Sequence, residues 1–174
     1  MPIWPFRPSR ADLDAARLLE VVQAASRKPV FFGDGRVPDT LEGRFELMAL
    51  NAALALIRLK NEPGAAPLAQ AFTDRMFSNF DAGLREAGIG DLSVPKQMRK
   101  LAGAFYGRLN VYAQALEQRD EPALAAAIGR NVFACGEHPF AAALANYAVD
   151  SVAAQAGLGL ERVLDGEGWP PLEI

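Results

Sequence analysis

The chain predicts an all-α fold, a single-domain bundle of about six helices. Three observations carry that expectation. Alanine and leucine are abundant and β-branched residues are few, which favours helix over sheet. Apolar residues recur at three- and four-residue spacing through most of the chain, and no strand-like alternation of any length appears. Proline and glycine clusters interrupt that periodicity where loops between helices are needed. A length of 174 residues suits one domain. Such a domain buries roughly 70% of its unfolded-chain surface, so it needs no disulfide or metal to hold it together.

Residues 1–10, MPIWPFRPSR, read as a flexible Pro-rich arm, and 11–174 as the helical domain. The prolines interrupt any apolar run, so the arm does not read as a secretory signal. Its Trp4 and Phe6 are apolar enough to touch a membrane surface. Residues 11–27 form the first helix, with Leu13, Ala16, Leu18 or Leu19, and Val22 at helical spacing, and Pro29 ends it. The loop SRKPVFFGDGRVPDT follows, kept irregular by Gly33, Gly35 and Pro38. Its Phe31 and Phe32 either tuck against the core or form an exposed aromatic contact.

Asp39 is expected to cap the second helix, with Glu42 returning the bond as in a capping box. This helix runs to about Lys60. Leu41, Phe45, Met48, Ala52 and Ala55 share one face and Leu47, Leu50, Leu54 and Ile57 another, the mark of a central helix. A narrow polar stripe of Arg44, Asn51 and Arg58 remains, with Glu46 close to the second apolar face. Buried charges need partners, so Arg44 and Glu46 are expected to find charged mates on neighbouring helices or to serve a contact with another protein.

A third helix covers about 66–87, with Leu68, Phe72, Met76, Phe80 and Leu84 recurring every four residues and Phe77 beside them. Such a stripe reads as core. Asp81 and Arg85 lie on the opposite face and can pair one turn apart. Gly88 suits the position just past the helix end. Ser93 and Pro95 suit the start of a fourth helix, which runs to about Gln118. Met98, Leu101, Phe105, Leu109, Tyr112 and Leu116 make its core face, while Lys96, Arg99, Lys100, Gly103 and Gly107 fall together on the reverse. A glycine inside a helix costs about 1 kcal/mol relative to alanine. Two on one face point either to a flat basic strip that a partner approaches or to close packing of another helix. Asp120 opens a fifth helix to about Ala134, and a sixth carries Phe140, Leu144, Ala148 and Val152 to about Gly157. The tail LERVLDGEGWPPLEI adds at most a short helical turn.

Charge is unevenly spread. The chain carries −3 in total, but residues 95–110 carry four basic groups and no acidic one. The acidic total argues against general nucleic-acid affinity, while the island permits a local contact. One cysteine, Cys135, excludes an internal disulfide and reads as a small buried apolar residue. The one histidine, His138, precedes Pro139 and reads as a helix boundary. No GK[ST] phosphate loop, HExxH, CxxC or GxSxG occurs, so no catalytic, cofactor-binding or metal-binding residues are assigned and no small-molecule substrate is expected. The longest helical apolar segment, around Met48–Ile57, is shorter than the ~20 residues a bilayer span needs, and a cytoplasmic location is expected.

Two blocks are more specific. GRVPDTLEGRFELMALNAALALIRL at 35–59 and MFSNFDAGLREAGIGDLSVPKQMRKLAGAFYGRL at 76–109 resemble the signature blocks of the ubiquinol–cytochrome c chaperone family. The resemblance covers about 12–120 and departs from the family pattern at Asn51, where that pattern has histidine, and at Pro95, where it has glycine. It implies a non-enzymatic assembly factor for the cytochrome bc complex, complex III. Its client would be newly made cytochrome b, and its further contacts the ribosome near the exit tunnel and the inner face of the cytoplasmic membrane. Under that reading Lys96, Arg99, Lys100 and Arg108 are expected to supply electrostatic contact. Phe31, Phe32, Phe77 and Tyr106 would supply apolar contact, and Arg44, Glu46 and Asp81 complete the set.

Two other classes stay open. The helix–GIGDLS–helix segment with its basic second helix imitates a nucleic-acid-reading helix-turn-helix. A hydrolase or transferase would need a polar pocket lined by Glu46, Asp81 or Asp91.

Overall fold

A computed structural model describes residues 7–173. Among these residues seven α-helices follow one another: α1 Arg10–Ser26, α2 Leu41–Lys60, α3 Ala66–Glu86, α4 Val94–Gln118, α5 Glu121–Phe133, α6 Pro139–Ala156 and the short α7 Leu160–Leu164. Among the described residues there is no strand, only an isolated bridge between Phe32 and Val37. The seventh helix is the short turn expected in the tail. Of the 1–10 arm, Met1–Phe6 lie outside the described residues, and with them Trp4 and Phe6. Ser9 and Arg10 belong to the domain, because Ser9 and Asp12 form a reciprocal capping box on α1.

The bundle is organised around α2. Every residue from Glu46 to Ala55 is buried, because α1, α3, α4, α5 and α6 all pack on this helix. Its cap differs from the expected one. Thr40 accepts from the Gly43 amide at 3.1 Å, and Asp39 instead accepts from Arg44 Nε at 2.7 Å. Gly43 is obligatory there, since a Cβ would fall 2.0 Å from the Pro38 carbonyl oxygen. The loop therefore lies directly on the first turn of α2. On α1 the core face is Ala15, Leu18, Val22 and Ala25, while Leu13 is half exposed.

The polar stripe of α2 does structural work. Asn51 is fully buried, accepts from the Tyr147 hydroxyl at 2.7 Å, and donates to Leu47 O at 3.0 Å. Arg58 donates to the Gln155 and Leu158 carbonyls at 3.1 and 3.0 Å, satisfying the C-terminal end of α6. The first contact ties α2 to the middle of α6 and the second to its end. His138 caps α6 as expected: Nδ1 accepts from the Phe140 amide at 3.2 Å, and the ring stacks on Phe133. Cys135 is only half-buried, in the loop after α5, rather than in the core.

Candidate functional site

An apolar cleft of about 240 Å³ opens where four helices meet. Leu41, Arg44, Phe45 and Met48 come from the first turns of α2, at the spacing that puts them on one helical face. Asn79, Phe80, Gly83 and Leu84 come from the last turns of α3, Leu101 from α4, Gln23 and Ser26 from the end of α1, and Arg27 from its C-cap. Phe45 and Phe80 meet at a ring separation of 5.6 Å. A Cβ on Gly83 would meet nothing within 4 Å, so the cleft is open there. Leu41, 61% exposed, stands on the rim. Arg44 is exposed beside it, with its guanidinium 5.6 Å from the Phe32 ring centroid. Arg44 is therefore no buried charge seeking a mate on another helix. Its partner is Asp39 at the foot of its own helix.

Behind the cleft runs a chain of aromatic rings. Phe77 meets Phe80, Phe105 and Tyr106 at 5.8 to 6.0 Å, linking the cleft to the half-exposed Tyr106 on α4. Beside it lies a buried ion pair. Arg108 Nε donates to Glu46 Oε2 at 2.6 Å, Nη2 donates to Oε1, and Nη1 donates to Ala104 O at 3.0 Å. Glu46 thus finds its basic mate on a neighbouring helix, as expected. Burial pushes the Glu46 carboxyl above its ordinary pKa, and Arg108 opposes that push. Arg108 is committed to Glu46 and is not a free cation. Phe31 is fully buried, edge-on to Tyr147 at 5.2 Å, so it supports the loop from within and presents nothing to a partner. Phe32 and Phe77 are half-buried.

Asp81 and Asp91 both accept from Arg85, Asp81 at 2.7 Å. With Glu46 on α2 held by Arg108 on α4, the three carboxylates are each engaged by a guanidinium. The hinge between α3 and α4, 87–93, is longer than the turn of about 3–4 residues in a DNA-reading helix pair.

The reverse face of α4 is open. Lys96, Arg99 and Lys100 are exposed, and none has an acidic partner among the described residues. A Cβ on Gly103 or Gly107 would meet nothing within 4 Å, so among the described residues no helix packs there. Ser93 makes no side-chain cap bond and the first turn holds no acid, so no side chain of the cap or first turn offsets the positive end of the helix dipole. Sequence reasoning missed two features. The cleft was hidden because its walls come from four separate helices. Leu92, 99% exposed in the hinge, left one signal, an apolar residue in a polar turn.

The model of the family described as ubiquinol–cytochrome C chaperone matches residues 34–168. The chain belongs to the ubiquinol–cytochrome c chaperone family. The match extends past the 12–120 stretch through α6 and α7, so the last third is family fold as well. The chain is also similar to the crystal structure of the Cbp3 homolog from Brucella abortus. The two are 40% identical over 90% of this chain and 88% of that one, with a TM-score of 0.79. No curated protein matches the chain.

Proposed function

We propose that this protein is a non-enzymatic chaperone for assembly of complex III and that its client is newly made cytochrome b. The family match over 34–168 carries the reading. The cleft supports it physically. Apolar surface left open to water is unfavourable to the free protein, and an apolar client segment covers it. Leu41, Phe45, Phe80 and Leu101 would grip that segment, with Arg44 on Phe32 as a polar rim. Tyr106 and Phe77 offer a second apolar contact on α4 and α3. The proposed place of action is the cytoplasm, where such a client leaves the ribosome and enters the inner membrane.

A photocrosslinking residue at Leu41, in cells making the complex, tests this. Recovery of cytochrome b is the expected result. Normal complex III levels in cells lacking the chain would overturn the reading. Lys96→Glu, Arg99→Glu and Lys100→Glu together should leave the fold intact and weaken assembly.

A further inference from the structure

We propose that the outer face of α4, with the hinge before it, docks this protein on the anionic phospholipid headgroups of a bilayer. The inference does not depend on the identity of the client. Lys96, Arg99 and Lys100 stand exposed within two helical turns, and residues 92–116 contain no acidic residue. Arg85 pairs with both neighbouring carboxylates, Asp81 and Asp91, which leaves one net negative charge there, and Glu86 is exposed at the end of α3. Among the described residues, three of the five exposed large hydrophobics lie in this same segment: Leu92 at 99%, Tyr106 at 46% and Val111 at 42%.

That combination selects lipid over RNA. Phosphates of either would satisfy the cations. Only a bilayer gives Leu92 an apolar medium beyond the phosphate layer, whereas RNA leaves it in water. Among the described residues no helix is long and apolar enough to cross a membrane, so the contact is peripheral.

The test is co-sedimentation of the full chain with phosphatidylcholine vesicles, with and without phosphatidylglycerol, at low and high salt. The protein should sediment with the anionic vesicles at low salt and stay in solution with the neutral ones. Each cation near an anionic leaflet adds roughly fivefold in affinity, so Lys96→Gln, Arg99→Gln and Lys100→Gln together should weaken binding on the order of 100-fold. Leu92→Ser should weaken it about tenfold. Glu86→Gln should strengthen it. Arg75→Gln, Arg119→Gln and Arg130→Gln together remove the same charge elsewhere and should leave binding unchanged, with all variants checked for wild-type circular dichroism and melting. The proposal fails if wild type ignores anionic vesicles, if the control triple loses as much as the α4 triple, or if Leu92→Ser has no effect. Salt-dependent binding to ribosomal RNA without vesicle binding would also overturn it.

Discussion

Replacing Arg108 by methionine keeps the volume of the stem and removes the guanidinium. Glu46, only 7% exposed, then keeps its carboxylate without the two donors that now reach it from Nε and Nη2. Removing one partner of a buried pair costs about 3–5 kcal/mol. The Arg108 side chain is still 16% exposed, which places this pair at the low end, about 3 kcal/mol. In a chain of this size each kcal/mol moves the melting temperature by about 2–4 °C, so the variant should melt roughly 6–12 °C lower near neutral pH. The pH dependence has a definite sign. Burial already raises the Glu46 pKa above 4.5, and Arg108 holds it down. Without Arg108 it rises further, so between 4.5 and the new value the folded state binds a proton that the unfolded state releases. Stability is present below that window and falls as pH rises through it. The deficit of Arg108→Met should therefore be smaller at about pH 5 than at about pH 7. Glu46→Leu combined with Arg108→Met removes both charges and should recover most of the loss. Calorimetry and urea denaturation at both pH values measure all three. A deficit below about 1 kcal/mol, no change with pH, or a double variant weaker than the single would refute the reasoning.

Gly103→Ala and Gly107→Ala should each stabilise the protein by about 1 kcal/mol, since the added methyl meets nothing and helix propensity improves; a loss in either would mean that the face is covered. Gly43→Ala should do the opposite, costing roughly 2–3 kcal/mol in denaturant unfolding, because its Cβ would overlap the Pro38 carbonyl. Tyr147→Phe leaves the buried Asn51 Oδ1 without its donor and should cost about 1–3 kcal/mol. Burial pushes Tyr112 and Tyr147 up to about 12, so alkaline absorbance titration of the folded chain near pH 11 should leave both largely protonated. Stability should also fall as pH rises from 10 toward 12, because the folded state retains those protons.

The helices were legible because each carries its own local signals. The four-residue stripe from Leu68 to Leu84, Pro and Asp120 at helix starts, and Gly88 past a helix end all act within one or two turns, so sequence alone determined α1 to α6 to within a residue or two. Centrality of α2 was legible for the same reason, since a helix apolar on two sides has to be covered on both. Partners were not legible, because they depend on how helices cross. Arg44 and Glu46 lie two residues apart, yet one emerges at the cleft rim beside Asp39 and the other faces Arg108, 62 positions away along the chain. Arg108 shares its helix with Lys96, Arg99 and Lys100, but its angle on the wheel turns it inward. Phe31 and Phe32 are adjacent, and the loop's contact with α6 buries one and leaves the other half-open. Sequence determined the elements and, through two long blocks, the family. Only tertiary packing decided which charges are spent within the fold, which cleft stays open, and that Gly103 and Gly107 face solvent, because each follows from distances between residues far apart in the chain.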